Sequence, residues 1–221
     1  MATYYTIKDD NSMTCWYHQI MKLYISDLHF FHESLLTNMD MRPFPTVNDM
    51  NEFMIAKWND RVHGRDEVFV LGDFSFGGVE ETTKVLNRLK GKITLITGNH
   101  DSFVRKTAFT SNRFREVVPY KEISDDGRKV ILSHYPIMFY NGQFRKDTYM
   151  LYGHVHNSFD EKLINDFIKL GEQQKRPAKG CEEGVFTPFR MINCFCMFSG
   201  YTPLSLDEWI EKDAVRRADL T

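Results

Sequence analysis

The chain has 221 residues, 42% of them hydrophobic and 26% charged, which is ordinary for a globular protein with one well-buried core. Its formal net charge of −2 excludes a basic footprint for long-duplex nucleic acid, but leaves a nucleotide substrate open. No apolar run approaches the ~18–20 residues that span a bilayer, so no membrane association is expected.

The first twenty residues mix Tyr, Lys, Asp and Asn, without the apolar stretch of a signal peptide. Residues 1–20 read as an N-terminal extension or the product of an upstream start codon, with an added edge strand or arm as the alternative. Residues 21–221 then read as a single domain. Lys22–Ser26 is expected to be a buried strand, short and apolar with a polar end. A helix follows over Asn48–His63, where Met50, Met54, Trp58 and Val62 recur every fourth residue and Gly64 stops it. Glu67–Leu71 is a second strand, Val79–Lys90 a second helix and Lys92–Thr97 a third strand. This alternation implies a largely parallel sheet.

The rhythm then changes. Arg115–Lys121, Lys129–Ser133 and Thr148–Tyr152 read as strands, with Asp125-Asp126-Gly127 as a hairpin turn between the first two. Glu161–Gln174 reads as a helix, Gln173–Gly184 as a polar loop and Arg190–Met197 as a last strand. Ser205 and Glu208 form a capping-box pair that opens a C-terminal helix. The expected fold class is α/β: two packed mixed β-sheets flanked by helices, an α/β/β/α sandwich. Four cysteines, Cys15, Cys181, Cys194 and Cys196, show no C-x-x-C spacing, and a reducing, cytoplasmic setting fits them.

Five polar motifs end the apolar runs: Asp27-Leu28-His29, Gly72-Asp73, Gly98-Asn99-His100-Asp101, Ser133-His134 and Gly153-His154-Val155-His156. They hold five of the eight histidines. Asp, Asn and His bind divalent metals through oxygen and nitrogen, and ligands of open α/β sheets sit beyond the carboxyl ends of strands. Each motif has a plainer use. Asp27-x-His29 can be a turn Asp beside an exposed His, Gly72-Asp73 a helix cap, and a lone His134 a structural residue. The Asn99 and His154 motifs are more specific, because each joins several competent side chains to a glycine.

Taken in order, the set D-x-H, G-D, G-N-H-D, H and G-H-x-H resembles the calcineurin-like metallophosphoesterase superfamily. Ser26-Asp27-Leu28-His29-Phe30-Phe31-His32, Arg42-Pro43-Phe44 and Trp58-Asn59 resemble a small bacterial and phage subgroup of it. The resemblance implies two metal sites: Asp27, His29, Asp73 and His156 for one ion, and Asp73, Asn99, His134 and His154 for the other. It implies hydrolysis of a phosphate ester by a metal-bridging hydroxide, with His100 as general acid and Asp101 orienting it. The cofactors would be two divalent ions, Mn by choice, with Fe, Zn, Co, Ni or Mg open.

His32 and Arg42 are candidate substrate contacts; a solvated helix turn and a surface loop are their plainer uses. Phe30, Phe31, Phe74, Phe76 and Phe103 could stack on a base, although core packing is the commoner use of Phe. His18 and His63 read as solvated. Phe74-Ser75-Phe76 after Asp73, and Thr97 before Gly98, stand where related protein phosphatases carry arginines, which argues against phosphoprotein substrates. The expected substrate is a small or nucleotide-like phosphodiester. Phosphomonoesterase activity is the first alternative, and a non-catalytic metal-binding scaffold of the same fold the second.

Overall fold

A computed structural model describes residues 4–5, 17–18, 20–110 and 112–218, the first two pairs by backbone alone. Strands β1 (Tyr4–Tyr5) and β2 (Tyr17–His18) pair antiparallel with each other. Most of the expected extension, Cys15 and the His18 side chain lie outside the described residues.

Two βαβ units come next. Strand β3 (Lys22–Ile25), helix α1 (Val47–Arg61), β4 (Glu67–Val70), helix α2 (Val79–Arg88) and β5 (Lys92–Ile96) follow in order. Helix α1 starts where Thr46 accepts a hydrogen bond from the Asp49 amide, and Met50, Met54 and Trp58 face the core. Strand β6 (Phe114–Val118) completes a wholly parallel sheet of order β3-β4-β5-β6.

The second sheet is mixed. Strands β7 (Tyr120–Asp125) and β8 (Arg128–Ser133) form a hairpin through Asp126-Gly127, both at positive φ (46° and 78°) as a tight primed turn requires. Strand β9 (Thr148–Tyr152) runs parallel to β8. Helix α3 (Phe159–Glu172), the hairpin of β10 (Lys175–Ala178) and β11 (Cys181–Phe186), strand β12 (Met191–Asn193) and helix α4 (Leu206–Ala218) close the described chain. The sheet order is β12-β9-β8-β7. Ser205 and Glu208 cap α4 reciprocally, Ser205 N donating to Glu208 Oε2 at 2.7 Å and Glu208 N to Ser205 Oγ at 3.4 Å.

Period-two alternation sorts the strand side chains into layers. Leu23 and Ile25, Val68 and Val70, Ile93 and Leu95 pack under α1 and α2. Tyr24, Phe69, Leu71 and Ile96 face the second sheet and meet Val130, Leu132, Leu151 and Ile192, with Trp209 of α4 sealing one side. Ile131, Met150 and Tyr152 face α3. These three apolar layers make a four-layer α/β/β/α sandwich. Both faces of each central strand are buried, hence the nearly continuous apolar runs.

Three expectations are corrected. The strand expected over Arg115–Lys121 is two strands in different sheets, broken at Pro119. Proline has no amide proton for a ladder, and here the chain crosses between sheets. The loop expected over Gln173–Gly184 contains the β10–β11 hairpin, turned at Lys179-Gly180 with φ 80° at Gly180. The strand expected over Arg190–Met197 is shorter, Met191–Asn193, with an isolated bridge from Phe195 to Ser26. No helix among the described residues is long and apolar enough to cross a membrane.

Candidate metal centre

All five motifs fall just beyond the carboxyl ends of β3, β4, β5, β8 and β9, where the edges of the two sheets meet. Leaving the ladder lets the chain turn sharply. Asp27, His29, Asp73, His154 and His156 all adopt positive φ, between 49° and 71°. Such strained backbone concentrates at functional sites, and Asp and His tolerate it better than most residues.

The motif glycines make room for the side chains of neighbouring strands. A Cβ on Gly153 would lie 2.5 Å from Asp27 Oδ2 and 2.6 Å from Ser26 Cβ. One on Gly98 would lie 2.5 Å from the Asp73 amide nitrogen. Gly98 therefore serves Asp73 from the adjacent strand of one sheet, and Gly153 serves Asp27 from the facing sheet, beyond any turn of their own.

Two groups of side chains converge. Asp27, His29 and His156 form one, all buried, and Asp73, His134 and His154 the other, with His154 exposed. His29 Nε2 lies 3.2 Å from His156 Nε2, and His156 Nε2 lies 3.7 Å from Asp27 Oδ1. Asn99 Oδ1 lies 3.0 Å from His134 Nε2. Asp73 Oδ2 sits between the groups, 3.4 Å from His29 Nε2 and 3.5 Å from His134 Nε2. With metal–nitrogen bonds of about 2.0–2.1 Å, neighbouring donors on one ion are separated by ~3 Å or slightly more. The spacings fit that geometry.

Hydrogen bonds orient the imidazoles. His134 Nδ1 lies 2.8 Å from the Leu71 carbonyl, so it carries the ring proton and Nε2 keeps its lone pair for the centre. His156 Nδ1 lies 2.7 Å from Asp40 Oδ1, with the same consequence. The Asp27 carboxylate is fully buried and accepts the His154 amide at 3.0 Å. Burial pushes its pKa up, partly offset by His156 and His134. Burial likewise pushes His29 well down, and His154 down. Burial thus disfavours charge on all three; a divalent cation would restore the ionised Asp27 carboxylate and take the neutral imidazoles through their lone pairs. The donor set thus fits a metal centre.

Two expected roles change, those of Asp101 and Arg42. Asp101 does not hold His100 through any hydrogen bond among the described residues. Its carboxylate accepts the amides of Asp73 (2.9 Å), Gly98 (2.8 Å) and Phe74 (2.8 Å), pinning two strand-end loops together. Burial raises its pKa to about 6. Arg42 is neither a surface residue nor a phosphate clamp. It is 1% exposed, and its Nε, Nη1 and Nη2 donate to Asp40 Oδ2 (2.9 Å), Leu28 O (2.7 Å) and Asp27 O (2.9 Å). His32 is half-buried, its Nδ1 3.3 Å from His29 Nδ1 and its ring stacked on Phe76. Phe30, Phe74 and Phe103 are core residues.

Sequence reasoning missed Asp40, whose carboxylate joins His156 to Arg42. No local pattern marks it, because it meets a histidine 116 residues away. It also missed Tyr135, exposed with its ring 4.5 Å from that of His154.

Such a layout, metal-competent side chains gathered where two stacked sheets end, defines a class of α/β proteins whose chemistry is metal-borne. Within that class the chain belongs to the calcineurin-like phosphoesterase superfamily, whose domain profile matches residues 21–177. It is similar to an uncharacterised protein of Methanocaldococcus jannaschii, 35% identical over 144 residues that cover 63% of this chain and 73% of that protein. It is also similar to the Gene 66 protein of Mycobacterium phage D29, 27% identical over 158 residues, 61% of this chain and 77% of that one. The crystal structure of a protein of unknown function from Aquifex aeolicus shares the fold, with a TM-score of 0.57 and 23% identity over 88% of this chain and 99% of that chain.

Proposed function

We propose that this chain is a two-metal phosphoesterase acting on small or nucleotide-like phosphodiesters. The observation that carries the reading is the position of Asp73 Oδ2 between His29 and His134, one histidine from each group, where a single carboxylate can serve both. Asp27, His29, Asp73 and His156 would hold one ion and Asp73, Asn99, His134 and His154 the other. Imidazole, carboxylate and amide donors without thiolate suit manganese. Bound there, two divalent ions stabilise phosphoryl oxygens as Lewis acids and acidify water near neutral pH.

The protein supplies the rest. The His100 amide donates to Asp73 Oδ1 at 2.8 Å, which fixes the shared carboxylate. The His100 ring is half-buried, its centroid 5.3 Å from that of His29, and would give a proton to the departing alkoxide oxygen. Asp101 contributes by holding the loops that carry Asp73 and Asn99. Arg42 faces inward, so holding the substrate phosphate would fall to the ions and not to this guanidinium. Cys181, Cys194 and Cys196 are free thiols, in keeping with a reducing cytoplasmic setting.

The test is turnover of bis-(p-nitrophenyl) phosphate by metal-stripped protein reloaded with Mn, Ni or Co. Metal-dependent release of nitrophenol is expected. Inactivity with all three ions bound would leave a scaffold of this fold as the better account.

A further inference from the structure

Resting on that reading of His100 as the proton donor, we propose that Phe76 and His32 form a stacking subsite. It would take a planar aromatic group, the base of a nucleoside, on the leaving side of the reacting phosphate.

Among the phenylalanines that flank the motifs, Phe76 stands apart. Phe30, Phe74 and Phe103 are at most 1% exposed, whereas Phe76 is 52% exposed. Its exposure does not come from a loose loop. The Phe76 amide donates to the Phe30 carbonyl at 2.9 Å, Phe30 bridges to Ser75, and Ser75 Oγ pairs with Thr82 Oγ1 at 2.8 Å. The ring is also not packed edge-on or tilted against its partner, as nearly all the other ring pairs among the described residues are. It lies face to face with the His32 imidazole, centroids 4.0 Å apart and planes within 4°. A fixed, half-exposed pair of parallel rings is a stack that another flat ring can extend.

The pair stands beside His100, whose ring centroid lies 5.4 Å from that of Phe76 and 6.0 Å from that of His32. A group resting there would be attached to the oxygen that His100 protonates, not to the half of the ester that stays on phosphorus. His32 adds a polar element. His29 turns Nε2 toward the metal group, so its Nδ1 carries the proton and donates to His32 Nδ1 at 3.3 Å. The neutral His32 ring then keeps its own proton on Nε2, and the stack offers an N–H donor as well as a face.

Binding tests this without turnover. Calorimetry on the Mn-loaded full chain compares thymidine 5′-monophosphate with 1,2-dideoxyribose 5-phosphate, in which a hydrogen replaces the base. The base should strengthen binding about tenfold or more, as stacking on one aromatic ring commonly does. Phe76→Ala should remove most of that difference, and Phe76→Trp should keep it. Equal binding of the two ligands, or a base preference that survives Phe76→Ala, overturns the proposal.

Kinetics then locate the subsite. For thymidylyl-thymidine and its two singly abasic analogues, kcat/KM should fall when the departing nucleoside lacks its base and hold when the retained one does; the reverse pattern refutes the leaving-side placement. The two readings fail separately. Base-dependent binding with no diester turnover leaves the subsite and removes the hydrolase, whereas turnover indifferent to either base leaves the hydrolase and removes the subsite.

Discussion

Asp40→Asn is the substitution that most directly tests how the metal centre is held. The wild-type carboxylate accepts from His156 Nδ1 at 2.7 Å and from Arg42 Nε at 2.9 Å, with the Asp40 side chain 2% and that of Arg42 0% exposed. An asparagine has one acceptor oxygen, so it can serve His156 or Arg42 but not both. Its NH2 would then face a donor. Loss of a carboxylate that orients a metal-binding histidine commonly lowers metal affinity about 10–100-fold, equivalent to ~1.4–2.7 kcal/mol. The buried Arg42 charge also loses its counter-ion, which by itself destabilises the fold by about 3–5 kcal/mol. The two effects separate by assay: thermal melting of metal-free protein reads the fold, and Mn titration calorimetry reads the centre. A double-mutant cycle with His156→Ala decides the route. If Asp40 acts through His156, Asp40→Asn should add little further loss of Mn affinity in that background. Full additivity in the double variant, or wild-type affinity in the single one, would refute the reasoning.

Asp73→Asn should abolish turnover and lower metal content below that of the wild type, because the shared oxygen loses its charge; two equivalents retained in elemental analysis would count against the shared-carboxylate assignment. His100→Ala should slow esters with poor leaving groups far more than nitrophenyl esters, which depart without a proton, and an equal loss on both would count against His100 as the acid. Gly153→Ala would set a methyl 2.5 Å from Asp27 Oδ2. We expect weaker Mn binding in calorimetry and about 1–3 kcal/mol of lost stability in chemical unfolding, and wild-type Mn affinity would contradict the crowding argument. Tyr24→Phe removes the hydroxyl that donates to Asp125 Oδ2 at 2.8 Å. Burial holds the Asp125 pKa above its ordinary value while that hydrogen bond lowers it, so ionised Asp125 is the form that needs Tyr24. The variant should lose about 1–3 kcal/mol near pH 7 and less near pH 4, where more Asp125 is protonated; a loss independent of pH would refute this linkage.

Much of the fold was legible because burial on both strand faces leaves a simple trace. Val68-Phe69-Val70-Leu71 reads as apolar throughout, since alternate residues serve different layers. The Asp126-Gly127 turn and the Ser205–Glu208 cap were legible because local chemistry decides them. Two features escaped. Val118 and Tyr120 belong to different sheets, yet the sequence around Pro119 continues one strand-like pattern. The β10–β11 hairpin leaves most of its side chains in water, so no apolar period announces it.

The site divides in the same way. Four of the five motifs set a glycine or a strained turn beside the competent side chain, so they could be read locally; His134 has neither and stands out only in their company. What supports them could not. Backbone that leaves a strand at positive φ gives up its ladder partners, and buried carbonyls must find others. The Asp27 and Leu28 carbonyls find them in Arg42, whose planar fork reaches both while its Nε holds Asp40. One guanidinium therefore stabilises the strained turn that presents Asp27 and the carboxylate that aims His156. A lysine carries the charge but not the fork, so Arg42→Lys would not be conservative here. An arginine near a phosphoester centre invites assignment to the substrate, and only its burial shows that its ligands are the protein's own.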